Sequence, residues 1–340
     1  MYSFTNDYSE GAHPKIMEAL LKTNYEQCDG YGLDHYCLEA TKIIKEQLGR
    51  KDIDVHYLVG GTQTNATFIA SALKPYQAVI AVNSGHINVH ETGSIEAVGH
   101  KILTREHISG KLKINMIESI IAEHTDEHMV QPKMVYISQT TEYGSYYTLK
   151  ELKDIYQLCK EKSLYLFVDG ARLGSALVLD DAPTLQELAK YSDVFYIGGT
   201  KMGALFGECL VIINDELKED FRFNIKQRGA MLAKGRLLGI QFKELFSNNL
   251  YFEIGKHMNL MADKLRAALK EFDMYVDSSS NQIFPILPNK LITQLKQDFS
   301  FNEMDKIDEE HTCIRLVTSW ATKSEDVEKF IEKIQQYSNN

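Results

Sequence analysis

Lys201 stands in the run Tyr196-Ile-Gly-Gly-Thr-Lys-Met-Gly-Ala204, where an apolar stretch from Val194 to Ile197 ends in small residues. Small neighbours let a flat ligand approach the backbone, and an amine in that place suits a Schiff base with an aldehyde. Upstream, Leu164-Tyr-Leu-Phe-Val-Asp169 puts a carboxylate at the end of an apolar strand, followed by Gly170, Ala171 and Arg172. A buried carboxylate is costly unless it meets a cation, and a protonated pyridine nitrogen is such a cation. A lysine for the aldehyde and an aspartate for the ring nitrogen are the two contacts through which pyridoxal 5′-phosphate acts as an electron sink. Each motif alone has a plainer reading, Asp169 as a helix cap and Lys201 as a solvated loop lysine. Their order, with an anion-binding turn upstream, favours cofactor chemistry.

That turn is Leu58-Val-Gly-Gly-Thr-Gln-Thr-Asn65, placed after a strand and opening a helix. Gly61 lets the backbone approach a ligand, while Thr62, Gln63 and the helix N-terminus offer donors to a phosphate. It is neither the dinucleotide Gly-x-Gly-x-x-Gly nor the lysine-bearing Walker loop, and its plainer reading is a capped strand-to-helix turn. After the next strand comes Ser84-Gly-His86-Ile-Asn-Val-His90-Glu91. His86 is the imidazole best placed to stack on a cofactor ring and to move protons near neutral pH. Two histidines and a glutamate on one loop make a weak zinc set, and no metal is expected. Arg315, inside the strand-like Cys313-Ile-Arg-Leu-Val317, and Arg172 are candidate clamps for the carboxylate of an α-amino acid.

These residues need a scaffold, and the hydrophobic pattern supplies one. Apolar runs at 55–59, 78–82, 133–138, 164–168, 193–197 and 208–213 alternate with helix-period segments at 34–48, 114–123 and 148–162. The alternation predicts α/β architecture, a mostly parallel sheet flanked by helices, in a large domain over 14–245. Beyond it, a helical stretch near 251–271, strands near 282–286 and 312–317, and a helix from 324 predict a smaller α+β domain over 246–340, with residues 1–13 packing near it. The composition, 44% hydrophobic and 25% charged over 340 residues, is that of a globular chain. A net charge of −10 argues against nucleic acid or anionic lipid as partner. No window reaches the ~18 apolar residues of a membrane span, and the start lacks a secretory pattern, so a cytoplasmic location is expected. Five scattered cysteines without a Cys-x-x-Cys pair predict free thiols.

The chain resembles the threonine aldolase and β-eliminating lyase family of fold-type I pyridoxal 5′-phosphate enzymes. The resemblance runs from Thr5-Asn6-Asp7 through Tyr31-Gly-Leu-Asp34, Gly61-Thr62, His86, Ser138-Gln139-Thr140, Asp169-Gly-Ala-Arg172 and Lys201 to Arg315. It implies that Lys201 carries the cofactor, Asp169 holds its ring nitrogen, His86 stacks on the ring, and Gly61-Thr62 binds phosphate. Gln63 and Gln139 would line the cofactor. Asn6, Tyr31, Arg172 and Arg315 would meet the substrate, and His128 would lie near its hydroxyl. Tyr31 further implies a homodimer or homotetramer with shared sites. Arg228 or Lys234 would stand in for the phosphate-binding cations of the family's Met-Arg-Gln segment, which reads Met231-Leu-Ala-Lys234 here. The implied reaction is retro-aldol cleavage of L-threonine or L-allo-threonine to glycine and an aldehyde. A β-eliminating lyase, an aminotransferase or a non-catalytic cofactor-binding protein are the alternatives on the same fold.

Overall fold

The computed structural model describes residues 1–338, so the expected C-terminal limit of the second domain, 340, lies outside them. A seven-stranded sheet forms the centre, its strands running from edge to edge as Asp54–Leu58, Glu208–Ile212, Val194–Gly198, Tyr165–Asp169, Gln131–Ser138, Gln77–Val82 and Ile102–Arg105. Glu208–Ile212 is antiparallel to both neighbours, and the other pairings are parallel. The architecture is therefore the expected α/β one, with the sheet covered on both faces.

The unbroken apolar runs arise because the inner strands are buried on both sides. Along Gln131–Ser138, Val135 and Ile137 join Ile80, Leu166, Val168, Phe195 and Ile197 in one layer. The alternate residues Met134 and Tyr136 join Val79, Phe167, Val194 and Tyr196 in the other. The first layer is closed by the helices His35–Leu48, Ile114–Glu123, Leu149–Glu161 and Arg236–Ser247, through Ile44, Ile117, Ile155 and Leu245. The second is closed by Gly61–Ala72 and Phe221–Gln227, through Phe68 and Ile225.

A third apolar cluster unites Phe4 with Met261, Leu265, Ile283, Leu291, Phe299, Ile314, Leu316 and Phe330. Here His311–Val317 pairs antiparallel with Ile286–Pro288, Asn302–Lys306 and Gln282–Ile283. Tyr2–Ser3 runs parallel to Phe299–Ser300, which brings the N-terminus to this cluster. The helix Leu250–Ala268 belongs to both regions: Leu250, Ile254 and Met258 pack against the sheet, whereas Met261 and Leu265 pack into the third cluster.

Candidate active site

The parallel strands end side by side, Ser138 in register with Asp169, at the edge where open α/β sheets bind ligands. Two backbone approaches crowd that edge. A Cβ on Gly170 would lie 1.9 Å from the Tyr196 carbonyl oxygen, and one on Gly198 would lie 2.4 Å from that of Ala171, so side chains are excluded at both.

Asp169 is buried and held by four donors. The Ala171 N–H (3.0 Å) and the Tyr196 hydroxyl (2.5 Å) reach Oδ1, while the Tyr136 hydroxyl and Asn65 Nδ2 (3.3 Å) reach Oδ2. Burial, followed by the Asp169 charge, pushes both tyrosines well above the ordinary phenol range, so each stays a neutral donor. Asn65 Nδ2 also donates to Glu91 Oε1 at 2.7 Å, and that oxygen meets His86 Nδ1 at 2.7 Å. One chain of hydrogen bonds thus runs from Asp169 to the His86 ring. The His86 N–H donates to Glu142 Oε1 at 3.1 Å, as does the Ser138 hydroxyl at 2.7 Å.

Lys201 lies just past the end of Val194–Gly198. Burial and then the nearby Arg172 charge push its amine down from the ordinary lysine range, against the opposing pull of Asp7, Asp169 and Glu208. Its Nζ lies 5.9 Å from the centre of the Tyr8 ring. Arg172 is engaged by Asp7, to which Nε and Nη2 donate at 2.7 and 3.0 Å. Arg315 donates from Nη2 to the Thr5 carbonyl at 3.3 Å, but its buried Nε has no hydrogen-bond partner. Burial, and then the Arg172 charge, lower its affinity for a proton. A guanidinium with an open buried donor beside a second cation suits an incoming carboxylate.

The helix Gly61–Ala72 starts without a side-chain cap, which leaves its first N–H groups to face an anion. Gly61 is close enough to Tyr196 that a Cβ there would lie 3.1 Å from the tyrosine hydroxyl, placing this turn beside Asp169. Thr62 is exposed at the turn, whereas Gln63 folds back so that its Oε1 accepts from the Val59 N–H at 3.4 Å. Arg228, at the end of the helix that packs on Gly61–Ala72, has a buried Nε without a partner. Lys234 is exposed. A buried aspartate held by four donors, a lysine amine, an uncapped helix start and an unpartnered buried guanidine nitrogen fit the ring nitrogen, aldehyde and phosphate of pyridoxal 5′-phosphate.

Of two further expected residues, one stands apart within its own chain and one is engaged locally. His128 is exposed in the segment before Gln131–Ser138, and its N–H is taken by Asp126 Oδ1. Because the site lies at the opposite end of that strand, His128 stands a full strand length away from its own chain's Lys201. Gln139 is buried, but its amide bonds both ways to the Tyr147 backbone, Oε1 accepting at 2.8 Å and Nε2 donating at 3.0 Å. It braces a loop, with one Nε2 hydrogen and one Oε1 lone pair committed to the Tyr147 backbone. Asn6 keeps its amide nitrogen available, since only its Oδ1 is engaged, by the Tyr8 N–H and the Ser9 hydroxyl. Tyr31 is exposed, with Lys226 Nζ 4.7 Å from its ring centre. Among the described residues the grouping with metal-ligand spacing is Glu26, Cys28 and His35, where Arg236 Nη1 already donates to Cys28 Sγ at 3.4 Å.

Asn65, Glu91, Tyr136, Tyr196, Glu142 and Asp7 were not among the sequence candidates. Asn65 and Glu91 lie within motifs already singled out, and Tyr136 and Tyr196 interrupt apolar strands with hydroxyls at positions facing one layer.

Residues 5–319 match the beta-eliminating lyase family. The low specificity L-threonine aldolase of a Pseudomonas species is 30% identical over 297 residues, 86% of this chain and 84% of that protein. The structure of a threonine aldolase from Leishmania major superposes with a TM-score of 0.98 at 49% identity, covering 99% of both chains. The histidinol-phosphate aminotransferase of Clostridium acetobutylicum shares the fold, with a TM-score of 0.74 at 14% identity over the whole of both chains.

Proposed function

The chain belongs to the beta-eliminating lyase family, and from that premise we propose that it is a pyridoxal 5′-phosphate-dependent aldehyde-lyase that cleaves L-threonine or L-allo-threonine to glycine and an aldehyde. The observation that carries this reading is the 49% identity and 0.98 TM-score to a threonine aldolase across 99% of both chains.

When bound, the cofactor supplies an electron sink for the pair released from the breaking bond. The side chains supply placement and proton handling. Lys201 would hold the cofactor aldehyde through its amine, Asp169 would face the ring nitrogen, and Gly61, Thr62 and Arg228 would receive the phosphate. Arg315 takes the substrate carboxylate with its open Nε, assisted by the nitrogen of Arg172 that Asp7 leaves free and by the Asn6 amide. Fixing the carboxylate fixes rotation about Cα, which is what aligns the Cα–Cβ bond for cleavage. His86 has its Nδ1 committed to Glu91, which leaves Nε2 as the ring nitrogen to meet a ligand. That nitrogen accepts the β-hydroxyl proton directly or orients a water that does so, as Cα–Cβ breaks and the aldehyde leaves. Return of a proton to Cα completes glycine.

The same reading takes the active form to be a homodimer or homotetramer with shared sites in the cytoplasm. Support comes from the exposed large side chains of Tyr25, Tyr31, Leu33 and Leu38, close together in sequence, and from five cysteines that are free thiols. Among the described residues no helix is long and apolar enough to cross a membrane. It also puts the boundary between the large and small domains near residue 245, in the helix Arg236–Ser247 that precedes the shared helix Leu250–Ala268.

The test is to add L-threonine and L-allo-threonine separately to the cofactor-loaded protein and to measure aldehyde and glycine. Equal yields of both products are expected. Ammonia with a keto acid would move the activity to β-elimination, and keto-acid-dependent exchange would move it to transamination.

A further inference from the structure

Asn65 is fully buried in the helix Gly61–Ala72, four residues after Gly61 and so on the same helix face. Its Nδ2 lies between two carboxylates, 2.7 Å from Glu91 Oε1 and 3.3 Å from Asp169 Oδ2. Glu91 Oε1 also meets His86 Nδ1 at 2.7 Å, and Glu91 Oε2 accepts from the Ser94 hydroxyl at 2.8 Å. The other donors to Asp169 come from neighbouring strands and from the turn that follows it: the Tyr136 and Tyr196 hydroxyls and the Ala171 N–H. Among the described residues, Asn65 is the side chain that bonds both acids.

Asparagine suits this place. An amide nitrogen carries two hydrogens, one for each acid, and no charge. A lysine or arginine there would neutralise the carboxylate that has to face a ring nitrogen, and a hydroxyl has a single hydrogen to give. The other half of the amide gains nothing, since Asn65 Oδ1 is buried without a hydrogen-bond partner. An unmet buried acceptor lowers stability, so the two donor bonds, and not packing, account for the side chain. With Gly61 at the start of the same helix, one rigid element ties the uncapped turn to Asp169 and, through Glu91, to the His86 ring.

We propose that Asn65 is a positioning residue: by bonding both carboxylates, it fixes the direction of Asp169 and of the Glu91–His86 pair relative to one another. The acid that faces the ring nitrogen and the imidazole that serves the substrate are then held by one amide. The proposal rests on the reading of Asp169 and His86 as contacts of the cofactor. Two consequences separate it from simple burial in a helix. Loss of the amide weakens the hold on the cofactor through Asp169, and it slows turnover through Glu91 and His86.

The experiment compares wild type, Asn65→Leu, Glu91→Gln and the double variant in two measurements. Leucine keeps the size of the side chain and removes its donors. Equilibrium dialysis of pyridoxal 5′-phosphate against the full chain should give a dissociation constant about tenfold higher for Asn65→Leu than for wild type. Steady-state kinetics at saturating cofactor should give a kcat about tenfold lower, with the KM for L-threonine close to that of wild type. Because Asn65 acts on turnover through Glu91, Asn65→Leu should lower kcat far less in the Glu91→Gln background, while its loss of cofactor affinity persists there. An unchanged dissociation constant, or kcat losses that multiply in full in the double variant, would overturn the proposal and leave Asn65 as a helix residue only. Should Asn65→Leu not fold, Asn65→Ser, whose single hydroxyl hydrogen cannot serve both acids, is read in the same way. A wild type that binds the cofactor but releases no aldehyde would refute the reaction assigned to the site, and the dialysis would still decide the role of the amide.

Discussion

Arg172 grips Asp7 at two points, Nε to Oδ2 at 2.7 Å and Nη2 to Oδ1 at 3.0 Å, and so ties the N-terminal segment to the loop that follows the Tyr165–Asp169 strand. Asn281 adds a third contact, its Nδ2 donating to Asp7 Oδ2 at 2.9 Å and to the Thr318 carbonyl at 2.9 Å. A single carboxylate therefore joins the sheet region, the N-terminus and the segment that leads into the His311–Val317 strand's partner. This arrangement limits Arg172 as a substrate clamp and makes Arg315 the guanidinium with an unmet donor.

Asp7→Asn should destabilise the protein by about 3–5 kcal/mol, because it strands the Arg172 guanidinium in a buried site without its counter-charge. The effect depends on pH. Burial raises the Asp7 carboxyl, but Arg172, Lys201 and the hydrogen bonds from Arg172 and Asn281 outweigh burial and hold it below the ordinary carboxylate range. A group lowered by folding stabilises fully above its unfolded value, and that stabilisation is lost as pH falls through the lower folded value. Urea midpoints of wild type and Asp7→Asn should therefore differ most at neutral pH and converge in strong acid.

Arg315→Ala should raise the KM for L-threonine by tenfold or more, equivalent to about 1.5–3 kcal/mol for a hydrogen bond to a charged group, with a smaller change in kcat. Arg315→Lys should recover only part of that loss, since an ammonium cannot present two parallel donors to a carboxylate. Steady-state kinetics with both variants checks the split. A near-normal KM in the alanine variant would place Arg315 in a structural role.

Glu91→Gln should lower kcat by about tenfold or more while leaving KM for the amino acid close to that of the wild type. Glu91 touches neither substrate nor cofactor in the proposed arrangement. It fixes the imidazole by accepting at Nδ1, and it shares Asn65 with Asp169, so its loss frees the ring to rotate. Rescue by Glu91→Asp, however partial, would separate this positioning effect from general destabilisation.

Gly198→Ala should lower the unfolding midpoint by the equivalent of about 1–3 kcal/mol or more, since the added methyl would lie 2.4 Å from the Ala171 carbonyl oxygen and backbone must move to admit it. The displaced Ala171 also donates to Asp169, so cofactor affinity should fall alongside stability. Thermal unfolding with and without added cofactor reads both effects.

The strands were legible because they are buried on both faces and read as unbroken apolar runs, which is why the observed bounds of the inner strands fall within one or two residues of expectation. Ile102–Arg105 escaped notice for the converse reason: it is a four-residue edge strand whose second half, Thr104 and Arg105, is half-buried and polar. Lys201, Asp169 and His86 announced themselves through local motifs. The Asp7–Arg172 pair did not, because nothing local in either segment shows that one will close against the other across the fold. Gln139 and His128 rest on family order alone. Family order can place a residue beside a strand, but only the fold shows which end of the strand it occupies or which backbone its amide meets.

Glu142 offers a pH dependence opposite in sign to that of Asp7. The carboxyl is buried, its Oε2 has no partner, and Oε1 receives only the Ser138 hydroxyl and the His86 N–H. Burial raises it above the ordinary glutamate range; Ser138 and His86 pull the other way, and Asp169 adds to the rise. Folding thus raises this group, so between the unfolded value, about 4.3, and the higher folded value the native state binds more protons than the unfolded one. Stability from this group is present below the unfolded value and declines as pH rises towards the folded value. Glu142→Gln removes the titration while keeping an oxygen to accept from Ser138, so the variant should lose stability less steeply than wild type as the pH rises through that window. Chemical denaturation at several pH values checks the slope. Parallel slopes in the two proteins would mean that Glu142 ionises in the native state as readily as in the unfolded chain, with Arg172 or His86 supplying the compensation.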